Sequence, residues 1–119
     1  MIRGVRGAIT CDNNSREEIL ERTQELLREI FARNGIDTGS ISAIIFTATK
    51  DLDAAFPAEG ARLMGLDRVP LLDMQQMDVK GSLPMTIRAL VLFETEKTQD
   101  EIKHVYLRDA KNLRSDLND

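Results

Sequence analysis

The alternation of hydrophobic and polar residues is clearest between Thr86 and Glu94. One face of the predicted strand carries Ile87, Ala89, Val91 and Phe93, and the other carries Arg88, Leu90 and Leu92. Both faces are apolar beyond the start, so the pattern predicts a central strand that is covered on both sides. Arg88 then lies at or near a core, where a guanidinium that cannot lose its proton needs an anion or several acceptors.

The rest of the chain reads as alternating strand-like and helical segments. The predicted elements are strands over Ile2–Cys11, Ile41–Ala48, Val69–Leu72 and Ile102–Leu107, a long helix over roughly residues 16–34, a short helix from Pro57 to Gly65, and a helical turn through Ala110. The long helix is the clearest, because Ser15 and Glu18 form a capping box and Asn34-Gly35 is a typical stop.

Two stretches interrupt this regularity. Gly4 and Gly7 fall inside the first strand, which indicates a bulge or the close approach of another backbone or a ligand. The stretch Asp73–Asp78 is too polar for a core strand and has no helical stripe, so it is compatible with a turn.

The order β-α-β-short helix-β-β-β predicts one α+β domain over residues 1–119, with a mixed five-stranded sheet. One long helix cannot cover both faces of such a sheet. We therefore expect a homo-oligomer whose uncovered sheet faces pack on each other.

Composition narrows the function. The net charge of −4, the absence of Trp and the single Tyr argue against nucleic-acid binding. No apolar run approaches the ~20 residues that span a bilayer, and the start lacks a signal-peptide core, so a cytoplasmic protein is expected. The single cysteine, Cys11, excludes a disulfide framework within the chain and a cysteine zinc site.

The usual catalytic equipment is missing from the sequence. Cys11 and the only histidine, His104, are far apart, and the aspartates match no calcium loop, so no metal or cofactor is expected. Arginines remain, inside or beside apolar strand-like segments. They either bind a small anion or pair with some of the 20 Asp and Glu residues. Arginines alone could accelerate a reaction without proton transfer, by holding a substrate in a reactive shape and stabilising developing negative charge.

Several stretches together resemble a known family. They are Arg3–Ala8, Ala55–Ala58, Val69–Leu71, Met77–Val79, Ile87-Arg88 and Gln99–Leu107. In order and spacing they are similar to the small monofunctional chorismate mutases of the AroH class. The resemblance implies a homotrimer with a pseudo-barrel arrangement of mixed sheets and three clefts between subunits. It also implies conversion of chorismate to prephenate, on the route to phenylalanine and tyrosine, without metal, cofactor or covalent intermediate.

The resemblance also implies roles for single residues. Arg88 matches the cation placed against the ether oxygen of the substrate, and Arg6 matches the arginine that grips a substrate carboxylate. Tyr106 matches a tyrosine that hydrogen-bonds a carboxylate. Further binding positions are Phe56, Ala58, Arg62, Leu71, Leu72, Gln76, Leu113 and Arg114, the last two in an expected mobile tail over residues 113–119.

The sequence departs from the family at four places, one of which is Ser115 in the tail, where a proline is expected. Asp73 stands where a cysteine is expected, Gln76 where a glutamate is expected, and Glu59 where a lysine is expected at the cleft mouth. The family glutamate balances the charge of the key arginine. We hypothesise that a turn brings Asp73 into that role and leaves Gln76 as a secondary polar contact.

Two other functions stay open at this point. One is a non-catalytic trimer that binds dicarboxylate metabolites, which only the displaced carboxylate favours. The other is a trimeric imine or enamine deaminase, whose class has a related subunit shape and an interface arginine. The Arg-Gly-Ala and His-Val-Tyr-Leu matches argue against the deaminase.

Overall fold

A computed structural model describes residues 1–113 of the chain. Its helices and strands follow the predicted order. They are β1 (Ile2–Thr10), α1 (Arg16–Asn34), β2 (Ile41–Ala48), α2 (Pro57–Leu63), β3 (Leu71–Gln75), β4 (Thr86–Glu94) and β5 (Val105–Leu107). Short 3₁₀ turns lie at Thr38–Ser40, Gln99–Glu101 and Arg108–Asn112, the last at the helical turn predicted through Ala110.

The five strands form one mixed sheet in the order β3-β2-β4-β1-β5. β4 is antiparallel to both β1 and β2, whereas β5 runs parallel to β1 and β3 runs parallel to β2. The prediction of an α+β fold with a mixed five-stranded sheet and a central strand at Thr86–Glu94 is therefore confirmed.

Helix α1 has the predicted start and end. The Ser15 side chain accepts a hydrogen bond of 3.2 Å from the Glu18 amide, and Gly35 adopts a left-handed conformation with φ of 60°. The Glu18 carboxylate does not close the predicted capping box. It accepts hydrogen bonds from the amides of Asp12 and Asn13, and so ties the preceding turn to the helix.

Both helices pack on the same face of the sheet. Leu26 and Ile30 of α1 are fully buried there, together with Phe46 of β2 and Ile87 and Val91 of β4. The opposite face of β4 carries Arg88, Leu90 and Leu92, and all three are only partly buried. The side chains on the two faces alternate as the sequence predicts, but within one subunit only one face is covered by helices.

Gly7 is required by the packing of α1 on β1. The register between β1 and β4 is continuous from Ile2 to Thr10, so the predicted bulge is absent. A Cβ atom at Gly7 would lie 2.7 Å from Ile30 Cδ1 and 2.9 Å from Leu26 Cδ1. It would also lie 3.1 Å from the backbone oxygen of Val105, so the glycine allows the expected close approach of another backbone as well as of helix side chains.

The third strand lies further along the chain than predicted. β3 spans Leu71–Gln75, so Asp73 lies within a strand and the proposed turn through Asp73 is wrong. Because β3 is an edge strand, polar residues are tolerated along it. The fifth strand is shorter than predicted and begins at Val105, because the preceding segment folds as a 3₁₀ turn that ends at Glu101.

Among the described residues, no helix is both long and apolar enough to pass through a membrane.

Candidate active site

A row of side chains crosses the sheet on the face away from the helices. Tyr106 in β5 is in register with Ala8 in β1, and Ala8 is in register with Arg88 in β4. Arg88 is in turn in register with Thr47 in β2, which pairs with Met74 in β3. Residues directly opposite each other on neighbouring strands share a face and have Cβ atoms about 5 Å apart. The row therefore places the cation of Arg88 between the small side chain of Ala8 and the hydroxyl of Thr47.

A cavity of about 290 Å³ opens over this row. Its lining residues are Arg6, Gly7, Ile45, Thr47, Arg88, Ala89, Leu90 and Tyr106. It brings together three residues that the sequence assigns to catalysis, namely Arg6, Arg88 and Tyr106, although they lie on three different strands. The remaining wall is mostly aliphatic, so the two guanidinium groups lie in a largely apolar environment where an anion is held more strongly than in water.

Arg88 is held by an amide. Its Nε donates a hydrogen bond of 3.1 Å to Oε1 of Gln76, immediately after β3. None of the ion pairs found within residues 1–113 includes Arg88. Among these residues, no carboxylate therefore pairs with Arg88, and its charge remains available to a ligand.

Arg6 is positioned through its backbone. Its amide donates a hydrogen bond of 2.9 Å to Nδ1 of His104, which extends the contact between β1 and the segment before β5. Nδ1 is thus the unprotonated nitrogen of this imidazole in the hydrogen-bonded state. This bond gives His104 a structural role, as the sequence indicates. By contrast, Nε of Arg3 donates to the carbonyl of Lys97 at 3.0 Å, outside the cavity.

Tyr106 forms one end of the row. It is only 3% exposed and packs against Ala8 and Ala110. Leu113 packs at the edge of the same small cluster, which agrees with its predicted place beside the site. Arg114 and the rest of the predicted tail lie outside the described residues.

A second group of predicted residues lies on α2 or just before it. Phe56 is 67% exposed, Ala58 is buried, and Arg62 is exposed on the same helix. Oδ1 of Asp73 accepts a hydrogen bond of 3.0 Å from the Ala58 amide. Phe56 and Asp73 also line a separate cavity of about 370 Å³. Of the two leucines of β3 that the sequence assigns to binding, Leu71 packs against the core and Leu72 is half-exposed.

The environment of Asp73 favours its neutral form. Burial raises the pKa of the Asp73 carboxyl group, and the hydrogen bond from Ala58 and the positive charge of Arg62 oppose this rise only in part.

The two groups lie on opposite faces of the sheet. Asp73 is in register with Phe46, which is in register with Ala89, on the helix-covered face. Arg88 and Thr47 lie on the other face. Within one subunit the residue brought to Arg88 is therefore Gln76, and Asp73 is not brought there.

Glu59 does not occupy a free position at the cleft mouth. Its carboxylate forms an ion pair with Arg16 of α1, which lowers the pKa of Glu59 chiefly through the hydrogen bond between the two side chains. Where the family resemblance leads one to expect a lysine, this chain thus has a glutamate that is paired with Arg16.

The described residues contain neither an ionised thiol nor a cluster of side chains that could hold a metal ion. Burial raises the pKa of the Cys11 thiol to about 11, so it is protonated at neutral pH. No cluster of three or more His, Cys, Asp or Glu side chains that could hold a metal ion occurs in residues 1–113. The arrangement presents two guanidinium groups and a phenol to one cavity, and groups of this kind can bind and orient an anion.

Thr47 is the one cavity residue with a polar side chain that the sequence does not point to. It lies in an apolar strand and belongs to no motif. Only the strand register places it beside Arg88. A sequence signal for it would require knowledge of which residues pair across β2 and β4.

Comparisons with known proteins agree with this geometry. The family model for chorismate mutase type I matches residues 2–117. Over 118 residues, the chain is 50% identical to chorismate mutase AroH of Thermus thermophilus, covering 98% of this chain and 97% of that protein. It is 43% identical to chorismate mutase AroH of Bacillus subtilis (strain 168), covering 98% and 93%. A solved chorismate mutase from Clostridium thermocellum superposes with a TM-score of 0.90 at 48% identity, covering 92% of this chain and 97% of that one. The chain therefore belongs to the type I chorismate mutase family.

Proposed function

We propose that this protein is a chorismate mutase that converts chorismate to prephenate in the cytoplasm, in phenylalanine and tyrosine biosynthesis. The observation that carries the proposal is that one cavity is lined by Arg6, Arg88 and Tyr106 together, on the open face of the sheet. These are the residues that the family resemblance assigns to the substrate's carboxylate and ether oxygen.

The reaction suits a site of this kind. One C–O bond of the ether breaks while one C–C bond forms within the same molecule, and no proton is transferred to the protein. The protein's task is to hold the dianionic substrate in its compact, reactive shape, and this restriction lowers the entropic part of the barrier. Arg6 and Tyr106 supply the donors that fix a carboxylate in that shape.

Arg88 supplies the electrostatic part. As the C–O bond breaks, the ether oxygen gains negative charge, and a charge-assisted hydrogen bond to it strengthens. An interaction that is stronger in the transition state than in the bound substrate accelerates the chemical step. Because the cavity wall is mostly apolar, a preorganised guanidinium is worth more there than in water.

Gln76 is the partner that holds Arg88 within the subunit, through the 3.1 Å bond from Nε. For Asp73 to balance the charge of Arg88, the contact would have to come from a neighbouring subunit, because within one chain the two residues face opposite ways. We propose that Asp73 acts mainly by fixing the start of α2 through its bond with Ala58, and that Gln76 takes the place of the family glutamate.

The site is completed between subunits of a homotrimer. Phe56 and Ala58 lie at the start of α2 and Arg62 lies near its end, on the side of the sheet away from Arg88, so they reach the cavity most directly from a neighbouring copy. Large apolar side chains are exposed where such a copy would pack, among them Phe56, Leu72 and Met74. Three sheets that pack through their open faces would cover the half-buried Leu90 and Leu92 in a pseudo-barrel.

One assay separates this function from a dicarboxylate-binding trimer and from an imine or enamine deaminase. Purified protein treated with a chelator is mixed with chorismate, and the loss of chorismate absorbance is followed together with the formation of prephenate. Turnover that survives the chelator supports the mutase. Tight binding of chorismate without turnover would instead support the non-catalytic trimer, and turnover of an imine alone would support the deaminase.

A further inference from the structure

Thr47 carries a buried hydroxyl without a hydrogen-bond partner. Of the buried side-chain nitrogen and oxygen atoms in residues 1–113, Oγ1 of Thr47 is the one left unpaired. Six other threonines have a hydrogen bond between their hydroxyl and a backbone or carboxylate group, namely Thr10, Thr23, Thr49, Thr86, Thr95 and Thr98. A buried hydroxyl that lacks a partner destabilises the folded protein, so its presence in a cavity wall calls for a physical reason.

The strand register places this hydroxyl beside the key cation. Thr47 in β2 is directly opposite Arg88 in β4, and both line the cavity that also contains Arg6 and Tyr106. Side chains in such a pair start from Cβ atoms about 5 Å apart and project into the same space.

Arg88 has more N–H donors than its hydrogen bond to Gln76 uses. A guanidinium carries five N–H groups and no acceptor, and Nε of Arg88 is already bonded to Gln76. Within residues 1–113, no hydrogen bond joins a terminal nitrogen of Arg88 to an acceptor. Oγ1 of Thr47 has two lone pairs that can accept such a bond. An unpaired acceptor and unpaired donors are therefore carried by two residues that are in register on neighbouring strands.

We propose that Thr47 is a positioning residue, whose Oγ1 accepts a hydrogen bond from a terminal N–H of Arg88 when substrate occupies the cleft. Gln76 then holds the Nε edge of the guanidinium and Thr47 holds a terminal edge. Two fixed points prevent the plane of the guanidinium from rotating away from the ether oxygen. A displacement of about 1 Å at such a group is enough to slow a reaction severely. The inference deepens the proposed mutase function and rests on it.

A purely structural threonine predicts different behaviour. β-Branched residues suit a strand, and valine would fill the same space at Thr47 without a polar atom. If the hydroxyl served only the fold, removing an unpaired buried polar atom would stabilise the protein and leave turnover unchanged. Strained or unsatisfied groups that persist in a site at the expense of stability are typical of functional positions.

The test compares Thr47→Val with the control Thr47→Ser, which keeps the hydroxyl. Thr47→Val is expected to lower kcat about 10-fold, as for the loss of one hydrogen bond to a charged group, while KM changes by less than about 2-fold. Its Tm without substrate is expected to rise, because the unpaired hydroxyl is gone. Thr47→Ser is expected to keep kcat within about 3-fold of the parent protein.

Coupling to Arg88 completes the test. In an Arg88→Lys background, assayed at high enzyme concentration, Thr47→Val is expected to change kcat by less than about 2-fold, since the group it positions is absent. The same 10-fold loss in both backgrounds, or an unchanged kcat in Thr47→Val alone, would overturn the proposal. A lower Tm in Thr47→Val would also overturn it, by showing that the hydroxyl is already bonded in the free protein. A parent protein without chorismate turnover would contradict the mutase function itself, while the Tm comparison would still decide whether the hydroxyl is unpaired.

Discussion

Asp73 and Arg88 lie two strands apart in one sheet and point to opposite faces of it. Asp73 shares its face with Phe46 and the helices, and it bonds to the amide of Ala58. Arg88 shares its face with Thr47 and bonds to Gln76. Within the chain, the side chain that bonds to Arg88 is thus a neutral amide, and the Asp73 carboxylate lies on the other face of the sheet.

The first prediction compares these two residues. Gln76→Ala is expected to lower kcat/KM about 10- to 100-fold, because Arg88 loses the bond that holds its Nε edge. Asp73→Asn is expected to lower it by less than about 3-fold, because the amide oxygen can still accept the bond from Ala58. Steady-state kinetics on chorismate measures both. A larger loss of kcat/KM in Asp73→Asn than in Gln76→Ala would show that Asp73 of a neighbouring subunit reaches Arg88.

Gln76→Glu refines the same comparison. A carboxylate has a second oxygen with which to bind the substrate while the first still accepts from Arg88. We expect kcat/KM to rise about 10-fold. An unchanged value would mean that the amide already provides what the family glutamate provides.

The second prediction concerns stability and pH. Burial raises the pKa of Asp73 in the folded protein above its ordinary value of 3.8. Folding therefore favours the protonated form, and wild-type stability falls as pH rises through the folded pKa. Asp73→Asn, which does not titrate, is expected to raise Tm at pH 7, with a gain that shrinks as the pH falls below that range. Thermal melts at a fixed protein concentration measure it.

Glu59→Gln serves as a control of opposite sign. The bond to Arg16 lowers the pKa of Glu59, so its contribution to stability is present at neutral pH and is lost as the pH falls. Its substitution is expected to lower Tm slightly at pH 7 and not at acid pH. If Asp73→Asn and Glu59→Gln shift Tm in the same direction at pH 7, the assigned environment of Asp73 is incorrect.

The third prediction tests whether each site is shared between subunits. Arg88→Ala and the double variant Phe56→Ala/Arg62→Ala are each expected to be nearly inactive, because each removes one half of the cleft. When the two are refolded together in equal amounts, random trimers should regain about a quarter of wild-type activity, because one site in four combines two intact halves. Mixing the folded proteins without exchange of subunits is the control. No recovery after refolding together would place both halves in one subunit.

Much of the fold could be predicted from the sequence because local signals and burial agree there. Ser15 marks the start of α1 and Gly35 marks its end. The alternation in β4 places Arg88 on the other face of the strand from Ile87 and Ala89. Only the start of β3 could be predicted, since its second half contains Asp73 and Gln75, polar residues that an edge strand tolerates.

The site was predictable where motifs carry it and unpredictable where register decides it. Arg6, Arg88 and Tyr106 come together as expected. The choice between Asp73 in β3 and Gln76 just after it depends on which face of the sheet each side chain reaches, and a shift of one residue in register reverses that choice. Thr47 depends on the pairing of β2 with β4, which no local pattern encodes.

The most direct test of the account is the turnover of chorismate by Arg88→Lys. Lysine keeps the positive charge but lacks the planar fork that Gln76 and Thr47 orient. The account predicts that kcat falls about 10²- to 10³-fold, which is typical for the loss of one preorganised donor, while KM changes far less. A kcat within about 3-fold of wild type would show that the oriented guanidinium is not what stabilises the ether oxygen, and would contradict the central claim.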